Sequence, residues 1–152
     1  MKKFLKGFAY AGRGFVTALH ERNFRFHLCA AAFVVFFGSG FYELSRAEWA
    51  ILLLTIGSVI AFEAVNTAIE HLANKVTTEQ NENIRRCKDC AAAAVLISSV
   101  AAVGVGIAIL GDTERLSAIW TFYSSDIWRL LALAAAVFAA VLLVFVPEKI
   151  KK

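Results

Sequence analysis

WAILLLTIGSVIAFEAVNTAIEH, residues Trp49 to His71, runs from an almost wholly apolar segment into one carrying Glu63, Asn66, Thr67, Glu70 and His71. An apolar run of this kind is what a helix needs to cross the roughly 30 Å hydrocarbon core of a bilayer, about 20 residues at 1.5 Å each. In such a helix Glu63, Asn66, Thr67, Glu70 and Asn74 follow spacings of 3, 1, 3 and 4, so they share one face. Glu63 and Glu70 then point nearly the same way, about 10 Å apart along the axis. A carboxylate inside a membrane helix costs on the order of 3 kcal/mol on insertion scales, and intramembrane acids mark a functional site by default. Something must compensate them. A divalent cation would, and Mg²⁺ in particular takes one or two carboxylates and completes its shell with phosphate oxygens and water. Interhelical hydrogen bonding alone would account for Asn66, Thr67 and Asn74, but not for two acids on one face.

The rest of the chain agrees with a membrane setting. Of its 152 residues 59% are hydrophobic and only one is proline, and the mean hydropathy is +0.65, which excludes an ordinary soluble domain. Four segments are long and apolar enough to span: about 28–44, 49–72, 90–110 and 127–146, the last closed by Pro147. The expected fold is therefore all-α and integral to the membrane. Orientation follows from lysine and arginine, which concentrate in short cytoplasmic segments. Lys2, Lys3, Lys6, Arg13, Arg22 and Arg25 precede the first span; Lys75, Arg85, Arg86 and Lys88 lie between the second and third; Lys149, Lys151 and Lys152 end the chain. Only Arg46, Arg115 and Arg129 fall on the other side, so both termini are expected in the cytoplasm. Tyr42, Trp49, Trp120, Tyr123 and Trp128 sit where an outer aromatic belt would.

Residues 4–26 place Leu5, Phe8, Phe15, Leu19 and Phe26 at roughly helical spacing among basic residues, and predict an amphipathic helix lying on the membrane surface against anionic headgroups. The net charge of +4 is thereby assigned to the bilayer, and no nucleic-acid partner is expected. The basic N-terminus lacks a continuous apolar core and a small-residue cleavage site and is read as retained. Cys29, Cys87 and Cys90 are expected to be reduced thiols. The pair in CKDC has no second pair to complete a zinc site and is read as incidental. The glycines of GSG (38–40) and GVG (104–106) are expected to permit close helix approach, and His20, His27 and His71 to hydrogen-bond at the interface.

Two clusters could face the polar stripe from the cytoplasmic side. HERNFRFH (His20 to His27) puts Glu21 and Arg25 on one face, and RRCKDC (Arg85 to Cys90) puts Lys88 and Asp89 just before the third span. Acids for a metal, a lysine for a phosphate and a carboxylate near headgroup level suffice for phosphoryl transfer, where catalysis is mainly positioning and charge neutralisation. No Walker A pattern or protein-kinase glycine loop is present to hold a nucleotide in the usual ways. A cation channel or carrier is the alternative of another class; the nearly unbroken apolar run from Trp49 to Phe62 gives it no polar path.

AGRG (Ala11 to Gly14), ERNFRFH (Glu21 to His27), YELSRAEW (Tyr42 to Trp49), EAVNTAIEH (Glu63 to His71) and KDCAAAAVL (Lys88 to Leu96) together resemble the small prokaryotic diacylglycerol kinase family, and most its Gram-positive branch of undecaprenol kinases. The resemblance covers residues 1–110. It implies a homotrimeric kinase of the bacterial plasma membrane, multi-pass, moving the γ-phosphate of ATP to a lipid alcohol at the cytoplasmic face with Mg²⁺ as cofactor. Undecaprenol is the implied acceptor and diacylglycerol the alternative. Glu63 would be the general base on the lipid hydroxyl and Asn66 would orient the site. Glu21 and Glu70 would hold Mg²⁺ and the nucleotide phosphates, and Lys88 and Asp89 would contact ATP. Tyr10, Glu79, Gln80 and Asn81 fall on the nucleotide side of this scheme, and Arg13, Phe24 and Arg25 on the lipid side. The sequence departs from the family at Asn74, where an Asp is usual, and at Asn81, where a His is usual; both remove charge or a titratable group near ATP. It also adds an extension, 111–152, whose fourth span is expected to be a peripheral packing helix.

Overall fold

The computed structural model describes residues 2–76 and 81–145, and among them every regular element is helical: α1 (Lys2–Ala18), α2 (Arg22–Phe41), α3 (Arg46–Val76), α4 (Glu82–Leu110), α5 (Thr113–Ser124) and α6 (Ile127–Phe145). Helices α2, α3, α4 and α6 are each long and apolar enough to cross a membrane. At 1.5 Å per residue, α3 and α4, with 31 and 29 residues, are about 45 Å long, so each overruns a 30 Å hydrocarbon core by several turns. The overrun is polar in both: Asn74 and Lys75 end α3, and Glu82 to Asp89 begin α4.

Helix α3 packs against α1, α2 and α4, and α2 packs against α6. The buried residues of α3 are Leu52, Val59, Glu63, Asn66, Thr67 and Ala73, a seam recurring at close to two turns. The seam is apolar at one end and polar at the other, so the face that packs the bundle is also the face that carries the acids.

Helices α2 and α3 are antiparallel. At one end buried Gly38 lies beside Leu44 and Trp49, where an added Cβ would sit 3.4 Å from each side chain; Gly40, Gly104 and Gly106 meet nothing comparable. The α2–α3 turn closes with a reciprocal cap: the Ser45 N–H and hydroxyl both donate to Glu48 Oε2 at 2.7 Å, and the Glu48 N–H returns a bond to Ser45 Oγ at 3.3 Å. Tyr42 Oη donates to the Leu110 carbonyl at 2.7 Å, tying this turn to the end of α4.

The structure differs from expectation at two places. The surface helix expected over 4–26 is two pieces, because the chain turns at Leu19 to Glu21 and residues 22–26 open the first span. The turn is tightened by His20 N–H to Thr17 O (3.1 Å) and Glu21 N–H to Ala18 O (2.9 Å). It buries Phe24, 1% exposed and edge-on to Phe15, and Arg25; a straight helix would have no corner to bury them in. The second difference is α5. Asp112 accepts from the N–H groups of Glu114 and Arg115 and starts a helix between the third and fourth spans, and Asp126 accepts from Trp128 N–H at the start of α6.

Candidate functional site

Glu63 is 2% exposed, and Asn66 and Thr67 on the following turn are 7% and 6% exposed. No hydrogen bond or ion pair reaches Glu63 among the described residues; the charges whose fields reach it are those of Glu70 and Glu21. A carboxylate in this position is neither a packing residue nor half of a buried salt bridge. One turn on, Asn66 Nδ2 donates to Glu70 Oε1 at 3.2 Å, so the amide orients the second acid. The Asn66 Oδ1 atom is buried and has no hydrogen-bond partner among the described residues, an acceptor left for a ligand or water.

Glu21 approaches from the α1–α2 corner. It is the N-cap residue of α2, yet its side chain makes no cap hydrogen bond. Its carboxylate instead meets α3, with Oε1 3.3 Å from His71 Nε2. The corner that divides the expected surface helix thus brings Glu21 across fifty residues of sequence to the polar end of α3. Arg25 Nη1 donates to the carbonyls of Leu19 (3.0 Å) and His20 (2.9 Å), and Nη2 to that of Val144 (3.1 Å).

Lys88, on the overrun of α4, faces α3: its Nζ lies 3.5 Å from Asn74 Oδ1. Asn74 therefore answers this lysine as a neutral acceptor where the resemblance leads one to expect an acid. Asp89 is engaged by Arg85 Nη1 at 3.2 Å, and Arg85 and Arg86 both pair with Glu82. The Asn81 side-chain oxygen caps α4 by accepting from Asn83 N–H and Ile84 N–H. Tyr10 is exposed on α1 with the Arg13 guanidinium 4.8 Å from its ring centre. Phe24 is part of the packed corner. Glu79 and Gln80 lie outside the described residues.

The structure thus brings Glu63, Asn66, Glu70 and Glu21 to one end of the bundle with Lys88 and Asn74 beside them, while Tyr10 and Arg13 pair with each other on α1. Sequence reasoning missed His71 as the partner of Glu21 and the capping of two helices by Arg25, since both depend on the corner. No group of three His, Cys, Asp or Glu side chains able to hold a metal occurs among the described residues. Two carboxylates, each held by a neighbouring amide or imidazole, and an unsatisfied amide oxygen fit a hard cation that brings its own phosphate and water ligands, and do not fit zinc.

Residues 9–110 match the prokaryotic diacylglycerol kinase family. The chain is 41% identical over 110 residues to an undecaprenol kinase of Bacillus subtilis, an alignment covering 72% of this chain and 89% of that relative. It is 36% identical over 104 residues to a diacylglycerol kinase of Synechocystis, covering 68% of this chain and 58% of that longer relative. No solved structure matches it. The family match stops where α4 stops, at Leu110.

Proposed function

The chain belongs to the prokaryotic diacylglycerol kinase family and is a membrane lipid kinase; from that premise we propose that it transfers the γ-phosphate of ATP to undecaprenol, with diacylglycerol as the competing acceptor. The observation that carries the site assignment is the buried carboxylate of Glu63, without a hydrogen bond among the described residues, one turn from the Asn66–Glu70 pair. Undecaprenol comes first because the relative matched over most of its own length is named for it.

Glu63 takes the proton of the lipid hydroxyl as the new O–P bond forms and the bond from the γ-phosphorus to the bridging oxygen breaks, releasing ADP. A lipid hydroxyl cannot leave the headgroup region, so the base must sit where a span meets the interface, which is the polar end of α3. Glu21 and Glu70 would hold Mg²⁺, which supplies charge neutralisation of the nucleotide phosphates when bound. Asn66 keeps Glu70 in place, and Lys88 offers a positive charge to the phosphates. Asp89, Asn81 and Tyr10 fall on the nucleotide side, and Arg13 on the lipid side, by resemblance. The same reading gives a homotrimer in the bacterial plasma membrane with α1 on the surface and the site at the cytoplasmic face.

The test is transfer of labelled phosphate by the purified full-length protein in lipid vesicles, with undecaprenol and diacylglycerol in competition. Preferential labelling of undecaprenol is expected, with activity abolished by EDTA and restored by Mg²⁺. Absence of transfer to either lipid overturns the kinase assignment for this chain; preference for diacylglycerol overturns the acceptor; activity in EDTA overturns the metal.

A further inference from the structure

We propose that the extension beyond the family match is a strap that fixes the α1–α2 corner, and that Arg25 is the positioning residue through which α6 holds Glu21 at the site. The proposal rests on the reading of Glu21 as a ligand of the Mg²⁺–nucleotide complex.

Arg25 closes two helix ends at once. Leu19 O and His20 O are the last carbonyls of the turn that ends α1, and Val144 O belongs to the last turn of α6; all three accept from the guanidinium of Arg25, a residue 8% exposed. Helix C-termini present unsatisfied carbonyls and negative partial charge, and arginine answers both. Burying a cation this deeply is costly, and the three carbonyls that accept from Nη1 and Nη2 offset that cost while Nε, also buried, makes no hydrogen bond among the described residues. A second contact repeats the link, with Arg22 lying 5.8 Å from the Phe145 ring centre.

The opposite end of the extension is also anchored on α2. Phe41 meets Phe122 at 5.3 Å and Tyr123 at 6.0 Å, Phe37 meets Tyr123 at 6.2 Å, and Arg115 Nη1 reaches Phe41 O at 3.5 Å. Between the anchors α2 and α6 leave an apolar cleft of about 370 Å³ lined by Ala32, Phe33, Phe36, Leu133 and Ala136. Mid-height packing is therefore open, and the ends set the register of α6 on α2. Glu21 lies inside the corner so held: its N–H bonds Ala18 O, its carbonyl accepts from Arg25 N–H, and its carboxylate, spared from capping, reaches His71. Loosening the Val144 link frees the corner and lets that carboxylate drift from Glu70.

The experiment uses full-length wild type, Arg25→Ala and Arg25→Lys in lipid nanodiscs, with steady-state kinetics in Mg²⁺–ATP and in undecaprenol, and hydrogen exchange of the 141–145 amides. Arg25→Ala is expected to raise KM for Mg²⁺–ATP roughly tenfold, the scale of losing hydrogen bonds to a charged group, with faster exchange at 141–145. Arg25→Lys, which keeps the charge but reaches fewer carbonyls, should fall between and serves alone if the alanine variant does not fold. Unchanged KM for Mg²⁺–ATP, unchanged exchange, or a loss confined to kcat overturns the strap while leaving the kinase reading intact. If wild type transfers no phosphate, the kinase reading fails, and the exchange arm still decides whether Arg25 holds α6.

Discussion

At the scale of single residues, burial and spacing separate Glu63 from Glu70. Glu63 is sealed into the α3 seam without a hydrogen bond among the described residues, whereas Glu70 is only partly buried and held by Asn66. Glu63→Gln keeps shape and removes the base, so kcat should fall by roughly 10²–10⁴, the usual worth of general-base catalysis, with KM for Mg²⁺–ATP little changed. The same variant should melt at the wild-type temperature or above it, because replacing an uncompensated buried charge by a neutral isostere relieves desolvation. Glu70→Gln should instead raise KM for Mg²⁺–ATP. Steady-state kinetics in both substrates, with thermal melting in detergent, checks the pair; a Glu63→Gln protein that is fully active refutes the base. The stripe was legible in the sequence because helical periodicity is local. The Glu21–His71 contact was not, since it depends on a turn at Leu19 to Glu21 where every residue is tolerable in a helix.

At the scale of elements, the four spans announced themselves as apolar runs, but their helices start and stop where caps dictate. Ser45-Arg46-Ala47-Glu48 is a capping box that marks the start of α3 three residues before the apolar run, and Asn81 starts α4 nine residues before Cys90. Hydropathy reports where a helix is greasy, and capping chemistry where it is a helix. α5 went unforeseen although Gly111-Asp112 is a stop followed by an N-cap. The glycine closes α4 by donating its N–H to Ile107 O at 2.9 Å, and a Cβ there would run into that carbonyl. Asn81→Ala should destabilise the protein by about 1 kcal/mol through loss of the α4 cap, and Asn81→Ser should recover most of it. Thermal melting separates them; equal melting of Asn81→Ala and wild type removes the cap from the account. Kinetics on the serine variant reads any nucleotide role of Asn81 apart from its structural one.

At the scale of the whole molecule, the number of spans and the distribution of charge make one joint prediction. The Glu21 corner, the end of α3, the start of α4 and the end of α6 gather at one end of the bundle, tied by the His71, Lys88 and Arg25 contacts; the α2–α3 turn and α5 gather at the other. Thirteen of the sixteen lysines and arginines belong by sequence to the first end, which the positive-inside rule assigns to the cytoplasm. That expectation needs only order along the chain. The docking of α6 on α2 was not legible in the sequence, because apolar helices carry little record of which neighbour they choose when lipid is as good a solvent as protein. Exposed Cys87, at the first end, provides the probe. With Cys29 and Cys90 replaced by alanine, a membrane-impermeant maleimide should label Cys87 in inverted vesicles and not in intact spheroplasts. Ser125→Cys, exposed beyond α5, should show the reverse in a protein lacking the native cysteines. Labelling of both from the same side would mean that α4 does not carry the chain across the bilayer, and an α6 crossing from there would end on the side opposite the corner, where Val144 could not reach Arg25.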